Sequence, residues 1–203
     1  GAEVEATVAA FVAAAVRAER AGFHGVELHG AHGYLLCQFL SAEVNRREDD
    51  WGGSLQNRSR SFLEIRRGIR ERCSADFVVG VRLSPERFGM RLDEVLQLAQ
   101  TLVDSGHVDF LDLSLWDCFK APRDEAFAGR SLLEWFGTVD RKDVRFGPAG
   151  KLRGPDDVRR ALDTGADFVL LGRAAILMHD FPERMRADAD FAPVAPPVPA
   201  QHL

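Results

Sequence analysis

The sequence predicts an α/β fold built on parallel strands. Three observations carry that expectation. Short apolar strand patterns alternate with helical patterns five times. Each connection between strands is long enough to hold a helix, as parallel pairing requires. The glycines and hydrogen-bonding side chains gather at strand ends rather than strand middles. A full (β/α)8 barrel takes eight such units and ~250 residues, whereas these 203 residues open inside a helix and supply five strands. A partial TIM barrel of about five of the eight units, or an open sheet, fits that count. No internal repeat alters it.

Residues 4–21 read as a helix, alanine-rich with Val8, Phe11, Val12 and Val16 near helical spacing, and Gly22 ends it. The first strand covers 24–29. A polar, irregular stretch over 43–54 follows, and Ser54 is placed to cap a long helix over 55–72 with Phe62, Ile65 and Ile69 on one side. The second strand, 78–84, sorts its residues by face: Val79, Val81 and Leu83 on one, Gly80, Arg82 and Ser84 on the other. A helix over 92–105 closes at Gly106, and the third strand spans 109–114. The connection 115–142 exceeds the usual length, so it reads as a lid or site loop, with one short helix near 132–136. The fourth strand covers 144–149. Gly154-Pro155-Asp156-Asp157 starts a helix that stops at Gly165, the fifth strand spans 167–172, and Asp180-Phe181-Pro182-Glu183 resembles a capping box opening a last helix. The domain is thus expected over 1–190, with a proline-rich tail over 191–203 that carries no folding pattern.

Composition narrows the class. At 46% hydrophobic and 28% charged, the chain is ordinary globular material. The net charge of -5 weighs against nucleic acid as a partner, since phosphate backbones call for clustered basic residues. No apolar run approaches the ~20 residues of a membrane span, and no signal peptide is visible. Cys37, Cys73 and Cys118 are far apart with no Cys-x-x-Cys pair, which suits a reducing cytoplasm and suggests neither an iron–sulfur cluster nor a zinc ribbon.

The candidate site begins at the end of the first strand, in His29-Gly30-Ala31-His32-Gly33-Tyr34. In an extended strand His29 and His32 would point to opposite faces, so they converge only if the chain turns between them, as Gly30 and Gly33 permit. Together they offer two directed donors for an oxyanion, and a phenol such as Tyr34 is a suitable acid toward a carbanion or enolate. The same residues also read as structural polar groups or as part of a metal site, although a His-x-x-His pair without a third ligand is weak evidence for zinc. Arg82, on the polar face of the second strand, either reaches a bound anion or electron-rich ring, or joins an internal ion pair. Gly150 and Gly172 end consecutive strands, and Arg173 follows the second. That pattern suits a phosphate cradle, against ordinary strand-end glycines beside a surface arginine. Of the three tryptophans, Trp51 and Trp135 read as packing residues, and Trp116, just past a strand end, is the candidate for contact with a ligand. Cys37 reads as a small core residue.

Several motifs carry a resemblance that covers nearly the whole chain in order. They are His29-Gly-Ala-His32-Gly-Tyr34-Leu-Leu, Asn45-Arg46-Arg47, Gly52-Gly53-Ser54-Leu55-Gln56-Asn57-Arg58, Val79-Gly80-Val81-Arg82-Leu83-Ser84, Ala149-Gly150-Lys151 and Gly172-Arg173. Together they resemble the C-terminal part of the old yellow enzyme family, FMN-dependent NADH:flavin oxidoreductases and ene-reductases. The resemblance implies a partial TIM barrel that binds FMN and is reduced by NADH or NADPH. It implies that His29 and His32 hold the carbonyl oxygen of an α,β-unsaturated substrate, an enone or enal. Tyr34 would protonate the α-carbon as hydride passes from reduced FMN to the β-carbon. Arg82 would lie against the pyrimidine edge of the flavin, and Gly150, Gly172 and Arg173 would hold its phosphate.

The family also has three strands ahead of the helix at which these residues begin. The chain is therefore expected to represent part of the working molecule, to expose an unpaired strand edge on each side, and to bind FMN weakly or not at all alone. A complementing N-terminal portion and a second copy of the chain stand among its expected partners. Two other readings are a non-enzymatic, flavin-free partial barrel and a sugar-phosphate enzyme, the latter leaving the histidine–tyrosine cluster without a task.

Overall fold

The computed structural model describes residues 1–194. Four parallel strands form one sheet in the order β1-β2-β3-β4: β1 Gly25–Gly30, β2 Val78–Leu83, β3 Phe110–Ser114 and β4 Arg145–Ala149. Helix α1 (Ala2–Arg20) precedes β1. Helices α2 (Leu35–Leu40) and α3 (Leu55–Arg72) lie between β1 and β2, α4 (Leu92–Asp104) between β2 and β3, and α5 (Leu132–Phe136) between β3 and β4. Helices α6 (Pro155–Asp163), α7 (Arg173–Leu177) and α8 (Phe181–Ala187) follow. Sequential strands pair with a helix crossing over between them, so the sheet is an arc of a (β/α)8 barrel.

Each face of the sheet follows from its residues. Val79, Val81, Leu83, Leu111 and Leu113 are fully buried in one core with Phe62, Ile65 and Ile69 of α3 and Val95, Leu98 and Leu102 of α4. The opposite face holds the aligned row His29, Arg82, Asp112 and Gly147. The bare backbones of Gly80, one layer toward the strands' N-termini, and of Gly147, in the row itself, make room for the rings of Phe110 and Phe168. A Cβ at either glycine would run into one of those rings. The two rings pack edge to face with centroids 5.8 Å apart, filling the barrel interior below the polar row.

The predicted caps form in two of three places. Ser54 Oγ accepts the Asn57 N–H, and the Asp157 carboxylate takes the Arg153 and Gly154 amides at the start of α6. At α8 the expected box is absent. The Asp180 side chain caps nothing and instead accepts from Arg184 Nε one turn on, at 2.8 Å. Helices α2 and α7, six and five residues long, carry no sequence signal because they span too few turns to show a period.

The fifth strand is a correction. Residues 167–172 run alongside β4 but make only an isolated bridge, Ala149 to Leu170. The Asp167 and Leu170 amides donate to the Phe146 and Pro148 carbonyls at 2.8 and 3.1 Å. A parallel strand residue aims its N–H and C=O at the same neighbour. Pro148 accepts from this segment but has no N–H to return, so the ladder cannot continue.

At the C-terminal end of the described chain, Phe191 stacks edge to face on Phe181 with centroids 5.1 Å apart. The Val194 amide meets Met178 Sδ. The start of the predicted tail therefore packs, and the rest of it, 195–203, lies outside the described residues. Among the described residues no helix is long and apolar enough to cross a membrane. Cys37 and Cys118 are buried free thiols, and burial pushes Cys118 up to about 12.

Candidate active site

All the predicted site residues stand at one end of the sheet, where the strands finish. An open cleft of about 420 Å³ at that rim is lined by His32 from the loop after β1, Arg82 and Ser84 from β2 and its loop, Ser114 and Trp116 from the end of β3 and its loop, Gly150 past β4, and Gly172 and Arg173 at the end of the 167–172 segment and the start of α7. Strand C-termini in parallel α/β barrels gather ligand-binding groups in this way.

The histidine turn converges as the glycines allow. His29 ends β1 on the interior face, while His32 takes left-handed backbone at φ 61°, followed by Gly33 at 75°. The His32 amide donates to Ser84 Oγ at 3.1 Å, which ties the turn to the end of β2. The two imidazole centroids are 5.1 Å apart, and Tyr34 places its ring 5.5 Å from His29. Tyr34 is 64% exposed, so its ring faces solvent beside His29 rather than the core. Burial lowers the pKa of both histidines, and the nearby Arg82 charge lowers it further. Each imidazole is therefore neutral at pH 7 and keeps one N–H to donate.

Arg82 realises both of its sequence readings. Its Nε donates to Ser114 Oγ at 2.7 Å and lies 2.9 Å from Asp112 Oδ2, while its side chain also lines the cleft. Asp112 escaped the sequence reading, because an aspartate inside the apolar run Phe-Leu-Asp-Leu-Ser looks like a strand interruption rather than a partner. It is fully buried, and desolvation pushes its carboxyl up to about 7 against the pull of Arg82, with Glu27 adding to the rise. Glu27, two residues before His29 on the same face, is raised by burial as well, although its side chain still meets solvent.

The cradle end of the cleft is built by close backbone approach. Gly150 sits so near the neighbouring loop that a Cβ there would come within 2.8 Å of the Trp116 carbonyl carbon and the Asp117 nitrogen. A Cβ on Gly172 would meet nothing within 4 Å, so the backbone there borders open space. Five cations line the cleft, Arg82, Arg87, Lys151, Arg153 and Arg173, against one carboxylate, Glu86. That balance suits an anionic ligand. Among the described residues no group of His, Cys, Asp and Glu is arranged to hold a metal ion.

Trp116 borders the cleft, half-exposed, whereas Trp51 is buried. Trp135 packs on Phe127 and donates to its carbonyl at 2.8 Å. Two of the sequence motifs are scaffold rather than site. Asn45 Nδ2 donates to the Phe39 and Trp51 carbonyls at 2.7 and 2.8 Å. Arg58, buried, donates to the Leu40 and Gly53 carbonyls and pairs with Glu94 at 2.6 Å. These two side chains satisfy the backbone of the irregular loop between α2 and α3.

Residues 1–190 match the model of the NADH:flavin oxidoreductase / NADH oxidase family. An NADH oxidase of Thermoanaerobacter brockii is 35% identical over 191 residues, covering 91% of this chain and 29% of that protein. A cinnamate reductase of Clostridium sporogenes is 32% identical, covering 92% of this chain and 31% of its own. The structure of morphinone reductase in complex with tetrahydroNAD superposes with a TM-score of 0.74 at 33% identity, over 97% of this chain and 52% of that one. The chain thus spans about half, or less, of the length of these relatives.

Proposed function

Because the chain belongs to the NADH:flavin oxidoreductase / NADH oxidase family, we propose that it forms the catalytic rim of an FMN-dependent oxidoreductase. Its reaction would be reduction of the C=C bond of α,β-unsaturated carbonyl compounds with NADH or NADPH. The observation that supports this reading is one cleft lined both by His32, whose ring stands 5.1 Å from that of His29 beside Tyr34, and by Gly150, Gly172 and Arg173. The family members named for cinnamate and morphinone reduction act on substrates of that kind by name.

The residues present fit a flavin mononucleotide. Its phosphate needs backbone amides and a cation beside open space, as Gly150, Gly172 and Arg173 supply. Its pyrimidine edge needs a held positive charge, and Arg82 is fixed by Ser114 and Asp112. The bound cofactor would supply the hydride. The chain's own residues do the rest. His29 and His32 donate to the substrate carbonyl oxygen and stabilise the negative charge that builds there as the double bond is reduced. Being neutral, they bind that charge without surrendering a proton to it. Tyr34 Oη delivers a proton to the α-carbon, and its exposed position allows replenishment from solvent.

The test is a flavin spectrum on the full-length protein, followed by NADH-driven reduction of 2-cyclohexenone. One bound FMN per chain and enone turnover support the reading. A full-length protein that takes up no FMN would overturn it. A part played by a second copy of the chain, or by a preceding portion that completes the cleft, belongs to the same proposal.

A further inference from the structure

The proposed reaction leaves Arg87 without a task, yet the loop carrying it is held in a demanding shape. Arg87 and Phe88 both take left-handed backbone, φ 77° and 55°, with Gly89 next at 72°. The Met90 amide closes the turn on the Arg87 carbonyl at 2.9 Å. Side chains disfavour that region, and residues kept there cluster where function requires them. The loop is pinned on both flanks. Glu86 is held by Lys120 Nζ and by the Arg123 amide at 2.8 Å. The Phe88 ring packs against the histidine turn so closely that a Cβ on Gly33 would come within 3.0 Å of it.

The outcome is a guanidinium laid on an indole. Arg87 Cζ lies 4.0 Å from the Trp116 ring centroid, and Trp116 itself takes left-handed backbone, φ 63°, to hold its ring there. Arg87 Nε is buried without a hydrogen-bond partner. Glu86, the carboxylate lining this cleft, is already paired with Lys120 and Arg123. An arginine serving only the surface would extend its head into water. One held over a ring meets the indole through its face, and its terminal N–H groups remain the donors for a carboxylate. The phosphate cradle has its own cations, whereas Arg87 belongs to the loop that touches the histidine turn.

We infer that Arg87, supported by Trp116, is a specificity-determining residue that binds a carboxylate carried by the substrate in addition to its activating carbonyl. This rests on the ene-reductase reading and narrows its substrate class to short unsaturated oxo acids. Their carbonyl goes to the histidines and their carboxylate to the stacked guanidinium.

The test compares trans-4-oxopent-2-enoate with its methyl ester on the full-length protein. The two share one enone and differ by one charge. The acid should be preferred tenfold or more in kcat/KM, with the difference in KM. Arg87→Gln should abolish the preference, and Arg87→Lys should keep part of it. An acid-to-ester ratio unchanged in Arg87→Gln overturns the inference. So does a variant that alters only the choice between NADPH and NADH, since the charge read would then be the cofactor's phosphate. If neither compound nor 2-cyclohexenone is reduced, the ene-reductase reading has failed, and calorimetric binding of 4-oxopentanoate and its methyl ester still decides the role of Arg87. Tenfold weaker binding of the acid alone in Arg87→Gln supports it, and equal binding overturns it.

Discussion

Arg82 faces Asp112 across the β2–β3 register, its Nε 2.9 Å from Oδ2, yet it directs its hydrogen bond to Ser114 Oγ at 2.7 Å. Burial pushes the Asp112 carboxyl up to about 7 against the pull of the Arg82 charge, and the neighbouring Glu27 adds to the rise. A folded-state value above the unfolded one means that the folded chain holds the proton more tightly. The stabilising contribution of Asp112 is complete below about pH 4, and it is lost as pH rises through about 7. Urea unfolding across pH 5–8 should show stability falling along this limb. Asp112→Asn, which cannot titrate, should flatten it, and an identical slope in the variant would remove Asp112 as its source.

The histidine pair behaves in the opposite sense. Both pKa values are depressed by burial and by Arg82. The contribution of the pair is complete above about pH 6.5 and is lost as acid takes the pH down through the folded values. Imidazole resonances followed by NMR should titrate below 6.5 for both rings. Arg82→Gln should raise both, because one charge acts on the two rings. A ring titrating at or above 6.5 in the native protein would contradict the neutral-donor role.

Tyr34→Phe separates acid catalysis from folding. The hydroxyl is exposed, so unfolding free energy should change by less than about 0.5 kcal/mol. Reduction of the unsaturated substrate should slow about 100-fold or more, as expected for loss of a general acid. Reduction of the flavin by NADH should be nearly unaffected. Stopped-flow measurement of the two half-reactions checks this, and equal losses in both would take the acid role from Tyr34.

Asn45→Ala tests the scaffold directly. It would leave the Phe39 and Trp51 carbonyls without their side-chain donor, at a cost of about 1–2 kcal/mol. The loss should appear in thermal or urea unfolding, and no loss would mean that water replaces the amide freely.

Much of this arrangement was legible in the sequence. The alternation of strand and helix, the Ser54 cap and the short helix at 132–136 follow from period and turn chemistry. So does the placing of His29, His32 and Gly150 at or just past strand ends, because local signals fix them. Other features depend on relationships across the sheet. The fifth strand failed to form a ladder because of a proline in its neighbour, and no pattern within 167–172 contains that information. Asp112 and Arg87 were passed over for the same reason: one gains meaning from a residue across β2, the other from a ring in a loop 29 positions away. Asn45 and Arg58 were visible as motif letters, but the carbonyls they satisfy were not.

Glu86 joins what would otherwise be two separate loops, since its carboxylate holds Lys120 and the Arg123 amide of the long β3–β4 connection. The loop after β2 and the β3–β4 connection are thereby tied together beside the cleft. Anyone grafting a relative's loop to redirect substrate choice would have to transplant both segments together, since a chimera carrying only one leaves the Glu86 carboxylate or its Lys120 and Arg123 partners unmatched.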